Sequence, residues 1–171
     1  MRIALTCFVG LLANLVLTAC TPVQSSGALS PFVPVDTLLQ TSAANACPIS
    51  ESHWLQPPKD AAVMGLPAYG RYYVNEDRSI WVTTRWSNGD SDTLRADPDG
   101  IKVGWYRPAG AQLEITGRRL DGEAPPLRAD VPCCYPTRFQ ASGLYFPTAG
   151  CWEVTAHAAD SELVFVVWVE P

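Results

Sequence analysis

Residues 143–169 read GLYFPTAGCWEVTAHAADSELVFVVWV, two apolar runs separated by a small polar turn, and their reading decides the fold. In the second run Leu163, Phe165, Val167 and Val169 share one face of an extended strand, and Val164, Val166 and Trp168 share the other, because side chains alternate with period two. Both faces are apolar, so this strand is expected to be covered on both sides. In the first run Trp152, Val154 and Ala156 alternate with Glu153, Thr155 and His157, the pattern of a strand with one wet face. Ala158-Ala159-Asp160-Ser161 supplies the turn between them. Upstream, Pro147 ends a strand because it lacks a ladder donor, and Gly150 permits a sharp entry into the next. The stretch reads as a corner followed by the closing hairpin of a β-sandwich.

Working outward, strand-like segments recur at short spacing: Arg71–Val74, Ser79–Trp86, Ile101–Tyr106, Gln112–Arg118, Leu127–Val131 and Arg138–Phe146. Asn88-Gly89-Asp90-Ser91 and Asp97-Pro98-Asp99-Gly100 are turns between them. Frequent Gly/Pro turns and no sustained helical period predict an all-β antiparallel sandwich over residues 47–171. His53-Trp54-Leu55 and Pro57-Pro58 fall in a stretch that reads as irregular, and Leu66-Pro67-Ala68-Tyr69-Gly70 reads as a turn.

The N-terminus carries a targeting signal. Arg2 is the first charge before the apolar run Ile3–Val16, and Leu17-Thr18-Ala19-Cys20 follows with small residues placed for cleavage. Residues 1–19 are therefore expected to be a lipoprotein signal peptide and Cys20 the acylated first residue of the mature chain, with palmitate among its lipids. The acyl chains would tether the chain to the outer face of a bacterial membrane, the plasma membrane or an outer membrane, without inserting it. The run is short for a spanning helix. Residues 20–46 then form a flexible linker rich in Ser, Thr, Ala and Pro, although Phe32, Val33, Val35, Leu38 and Leu39 give it some apolar character.

The chain has 12 basic and 17 acidic residues. Loss of Arg2 with the signal moves the net charge from −5 to −6. An acidic surface with no basic stripe argues against nucleic-acid binding and against electrostatic attachment to anionic lipid. A monomer in the cell envelope is expected.

Three segments together resemble a known group: Gly104-Trp105-Tyr106-Arg107-Pro108, Gly117-Arg118-Arg119-Leu120-Asp121-Gly122, and Phe146-Pro147-Thr148-Ala149-Gly150-Cys151-Trp152-Glu153-Val154. They are similar to uncharacterised bacterial secreted proteins and lipoproteins with an F-P-x-x-G-C-W-x-V corner before a strongly apolar last strand. The likeness spans roughly residues 80–169 and implies an immunoglobulin-like domain, the corner lying between strands E and F. It implies no activity, because the corner is a structural device.

Cys7 leaves with the signal, so Cys47, Cys133, Cys134 and Cys151 remain for the domain, and an even number in an exported chain favours two disulfides. Adjacent residues in an extended segment point opposite ways, which predicts that Cys133 and Cys134 reach Cys47 and Cys151 in one order or the other. A Cys133–Cys134 ring with a Cys47–Cys151 bridge is the strained alternative. A thiolate metal site with His53 or His157 lacks the usual ligand spacing, so no metal and no cofactor is expected.

Catalytic signals are absent. His157, Asp160 and Ser161 lie within one tight hairpin and cannot readily form a relay beneath a pocket. Asp97, Asp99, Asp121 and Glu123 sit in turns, where Asp serves backbone hydrogen bonding. The aromatics are the remaining lead: a sandwich needs one or two as core, and the others could present a stacking surface. Trp81, Trp86, Tyr106, Arg118 and Arg119 are the candidate ligand-surface residues. If Ile80 and Val82 point inward, Trp81 points outward with Arg85. The expectation is a membrane-tethered, non-catalytic module that binds a protein, peptide or envelope glycan; the alternative is an envelope carrier of copper or zinc, or a small enzyme.

Overall fold

A computed structural model describes residues 46–63, 66–85, 94–133 and 135–171. The expected signal peptide, Cys20 and the linker up to residue 45 lie outside the described residues, as do Trp86, Cys134 and the turn at 88–91. Ten strands and one short helix are present among those described: β1 (His53–Leu55), α1 (Lys59–Val63), β2 (Gly70–Val74), β3 (Trp81–Thr83), β4 (Leu94–Arg95), β5 (Ile101–Tyr106), β6 (Leu113–Arg119), β7 (Arg128–Asp130), β8 (Phe139–Tyr145), β9 (Gly150–Ala158) and β10 (Ser161–Glu170).

They form an all-β sandwich of two sheets, ordered β1-β2-β3-β5-β8-β7 and β4-β10-β9-β6. Every pairing is antiparallel except β4 with β10, where Leu94 lies opposite Val169. Counting back from the last hairpin, β9 and β10 are strands F and G, with β6 as C beside F. The row β3-β5-β8-β7 follows the A-B-E-D order of an immunoglobulin sandwich. Strands β1 and β2 extend that sheet beyond its first strand.

The closing hairpin holds the registers that its alternation implies. Leu163, Phe165, Val167 and Val169 are buried, as are Trp152, Val154, Ala156 and Ala158. The turn falls at Ala158-Ala159-Asp160-Ser161 as expected, with Ala158 paired to Ser161 and Ala159 and Asp160 as its two central residues. Ala159 accordingly takes φ 53°, the positive φ that two-residue hairpins require. The outer face of β10 is less covered than its sequence suggests, for Val164 is 46% exposed.

Between the sheets Trp105 and Phe165 meet with ring centroids 6.3 Å apart, and Tyr73 stacks on Phe165 at 4.6 Å. Trp105 donates its indole N–H to Ser142 Oγ at 2.8 Å, which satisfies the one polar atom that its burial would otherwise strand. A second apolar cluster lies on the opposite face of the six-stranded sheet: Ala61, Leu66, Tyr72, Trp81 and Tyr106. Trp81 does point away from Ile80 and Val82, as alternation requires, but Ala61 of α1 and Leu66 pack on that face and cover it. Asp60 fixes the crossing by accepting the Tyr106 hydroxyl at 3.1 Å.

One disulfide joins Cys47 to Cys151, with Cα atoms 5.5 Å apart. This corrects the favoured pairing of either residue with Cys133 or Cys134 and is the bridge that the alternative named. The reason is that residues 47–50 run along the open edge of β10, where Ser50 N donates to Val166 O at 3.0 Å and Val166 N donates to Ser50 Oγ at 2.8 Å. Cys151 lies one strand away, opposite Trp168. Cys133 belongs to the β7–β8 connection of the other sheet, and it is itself disulfide-bonded to a cysteine outside the described residues.

Candidate functional site

The candidate site is built where β2 begins and β3 ends, on the strands that extend the immunoglobulin order. Trp54 of β1 lies directly opposite Arg71 of β2. Tyr69 precedes β2 and brings its ring against Trp54, with centroids 5.4 Å apart and planes 24° from parallel. The two rings are 62% and 64% exposed. Beside them a cleft of about 360 Å³ is lined by Pro67, Arg71, Thr83 and Arg85 among others. Two large rings stacked in water beside a cleft form an exposed aromatic patch, the kind of feature that interaction sites use.

Tyr72 holds the turn that places Tyr69. Its hydroxyl donates to Pro67 O, and its ring meets Trp81 edge-on at 5.6 Å. Burial pushes its pKa up to about 12. A hydroxyl that stays neutral in the fold but ionises near pH 10 when unfolded contributes stability that is complete below pH 10 and is lost as the pH rises toward 12. Unfolding free energies measured from pH 8 to 12 should therefore fall more steeply for the wild type than for Tyr72→Phe. Parallel slopes would show that Tyr72 ionises freely.

The site residues expected from sequence fall elsewhere. Trp81 and Tyr106 are 2% and 1% exposed and lie beneath α1, so neither offers a ligand surface. Burial raises the Tyr106 pKa, and so does its hydrogen bond to Asp60, both favouring the neutral phenol. Arg118 is opposite Glu153 across β6–β9 and bonds it at 2.7 Å, an exposed cross-strand pair. Arg119 bonds Asp121 at 2.7 Å and reaches Thr148 Oγ1 at 3.3 Å, bracing the β8–β9 corner. Trp86 lies outside the described residues.

His157 pairs with Glu162 across the last hairpin at 3.0 Å, both half-exposed, which is the ordinary neighbour contact of facing strand positions. Among the described residues no three His, Cys, Asp or Glu side chains converge as a metal site. Arg107 is 2% exposed and bonds Gln140 Oε1 and Tyr135 O, each at 3.2 Å. Gln140 in turn donates to Pro132 O at 2.9 Å, so the pair secures both ends of the turn containing Cys133.

Sequence reading passed over Trp54 and Tyr69 because neither lies in an alternating run. A usable signal was present all the same. Tyr69 falls in a stretch that reads as a turn, where no strand face is available to bury it.

No family model matches the chain, and no curated protein matches it. Among solved structures it is similar to a "putative lipoprotein" from Bacillus anthracis, with 15% sequence identity, 82% of this chain and 96% of that chain covered, and a TM-score of 0.39. A likeness of that degree carries no argument about function.

Proposed function

We propose that the chain is a lipid-anchored, non-catalytic binding module of a bacterial cell envelope, with the cleft beside Trp54 and Tyr69 as its ligand surface. The observation that carries this reading is the exposed, stacked aromatic pair at a cleft. Among the described residues four large hydrophobics are exposed, and two of them stack on each other there. The signal run ending in Leu17-Thr18-Ala19-Cys20 supports the anchor, and the resemblance to secreted proteins and lipoproteins with an F-P-x-x-G-C-W-x-V corner agrees with it.

Two measurements test the reading separately. Labelled palmitate should enter the wild-type chain and be absent from Cys20→Ser, which should leave the membrane fraction; equal labelling of both would remove the anchor. The full chain, purified in detergent, should be retained by isolated cell-envelope material, and Trp54→Ala should reduce that retention at an unchanged melting temperature. Substitutions at such exposed positions ordinarily change stability by less than about 0.5 kcal/mol. Retention that is indifferent to Trp54→Ala and Tyr69→Ala would move the ligand surface elsewhere.

A further inference from the structure

A sheet face that meets water ordinarily carries polar side chains, and two strands of the four-stranded sheet obey that rule. The outward residues are Glu114, Thr116 and Arg118 on β6, and Glu153, Thr155 and His157 on β9, alternating with the buried Trp152, Val154 and Ala156. Strand β10 departs from it. Its register places Glu162 beside His157, and then Val164, Val166 and Trp168 beside Thr155, Glu153 and Cys151. Val164 is 46% exposed, and Val166 and Trp168 are half-buried. The helix α1 packs on the other sheet and gives this stripe no cover.

The chain enters the domain at the same stripe. Cys47 is bonded to Cys151, which lies opposite Trp168, and Ser50 holds Val166 by two hydrogen bonds. Of the exposed large hydrophobics among the described residues, Trp54 and Tyr69 belong to the cleft. The other two, Ile49 and Val164, belong to β10 and the segment tied along it. Residues 21–46 separate this point from Cys20, and a flexible linker of that length spans about 28 Å between its ends. An anchor at Cys20 would therefore present the β10 face to a bilayer at an effective concentration on the order of millimolar, where a small apolar contact suffices.

Electrostatics select the kind of surface. Arg118 bonds Glu153 at 2.7 Å and Arg95 bonds Glu170 at 3.5 Å, so these cations are already matched by carboxylates. Glu114 and Glu162 flank His157 at the far end of the face. Such a face gains nothing from anionic headgroups. What remains is apolar contact with the acyl boundary and the preference of tryptophan for the membrane–water interface.

We infer that the outer face of β10, with Ile49, Val164 and Trp168 as its contacts, lies on a phospholipid surface whose headgroups carry no net charge. This rests on the lipid anchor proposed above: the anchor brings the domain to the bilayer, and the face sets its orientation. The outer faces of a sandwich point opposite ways, so the six-stranded sheet, which supplies β2 and β3 of the cleft, is turned away from the bilayer. A second copy of the chain on this stripe would leave its place beside the tether without a role.

The test uses the lipidated full chain, reconstituted through its anchor into phosphatidylcholine vesicles, with an environment-sensitive fluorophore on Val164→Cys, Ile49→Cys or Asp130→Cys. Asp130 is exposed on the outer face of the six-stranded sheet, opposite Gly143. Nitroxide lipids labelled just below the headgroup should quench the labels at 164 and 49 at least about threefold more than the label at 130, because an apolar face seats about 5–10 Å into that boundary. Phosphatidylglycerol in the vesicles should not increase the difference. Val164→Asp should bring quenching at residue 49 down to the level at residue 130 while the chain stays on the vesicles.

Equal quenching at 164 and 130 on vesicle-bound chain would overturn the inference and leave the anchor standing. A label at 164 that is shielded from aqueous iodide yet not quenched by lipid would assign the face to a second copy and overturn it too. A chain that does not stay on the vesicles would remove the anchor and the inference together. The cleft is judged apart from all of these, by the dependence of envelope retention on Trp54.

Discussion

Replacing Cys47 and Cys151 together by alanine is expected to lower the melting temperature by about 10–20 °C, from a loss of about 2–5 kcal/mol. The disulfide closes a loop of 104 residues. In the chain-entropy account a loop of about that length restricts the unfolded ensemble by about 4.7 kcal/mol, and native proteins commonly realise somewhat less. Removing both cysteines matters, because Cys151 is 1% exposed and a lone thiol there could pair wrongly. Calorimetry on the variant measures the effect directly, whereas a reductant on the wild type would also open the bond at Cys133.

The site should feel the loss as well. Residues 47–50 lead directly into β1, and besides the disulfide they meet β10 through the bonds of Ser50 with Val166 and a 3.9 Å Cys47 Sγ to Val167 O contact. Without the covalent tie Trp54 is held by the three-residue pairing of β1 with β2, by its stack on Tyr69 and by the packing of Leu55 beside it. A melting-temperature change of less than about 3 °C, under 1 kcal/mol for a domain of this size, would show that the tie is redundant with the β10 edge contacts.

The hairpin was legible because one rule governs it. On a strand with a buried face, period two assigns every side chain, and the buried set Leu163, Phe165, Val167 and Val169 follows. The same rule aimed Trp81 correctly, outward from Val82, and still misjudged its exposure. What covers Trp81 is Ala61 and Leu66, more than a dozen residues upstream, on a segment whose composition looks irregular. Alternation reports a direction and is silent about what lies there.

Both remaining misreadings have this non-local character. Strand β1 is three residues long and its burial does not alternate, so it exists only because β2 offers an edge to pair with. The cysteine pairing was argued from the opposed directions of two neighbours, a local geometric fact. It depends equally on which strand edge residues 47–50 follow, and no periodicity encodes that. The candidate site lies where these two uncertainties meet, on β1 and its turn, and sequence therefore pointed to Arg118 and Arg119, which turn out to brace β6 and the corner.

Trp152→Ala is expected to destabilise the protein by about 3–5 kcal/mol, the range for truncating a fully buried large aromatic. Its side chain is 0% exposed and meets Phe146 edge-on at 5.5 Å. Its indole N–H donates to Thr148 O at 3.0 Å, pinning the corner from inside. Gly150 closes the same corner at φ 140°, where a Cβ would lie 2.6 Å from Arg119 Nε and 2.8 Å from Asp121 Oδ1, so the corner cannot relax by accepting a side chain there. Trp152→Phe keeps most of the ring contact and loses the hydrogen bond, for a cost of about 1–2 kcal/mol including the unsatisfied carbonyl. Urea titrations would show both as lower midpoints at an unchanged slope. Trp54→Ala should leave the midpoint in place while reducing retention by envelope material. That opposite pattern in two tryptophans of one domain separates scaffold from site: Trp152 acts through the corner that joins the sheets, Trp54 through a face the fold leaves in water. A Trp152→Ala midpoint within about 1 kcal/mol of wild type would mean that the corner is held by the Arg119–Asp121 pair and the disulfide, and that its tryptophan is replaceable filling.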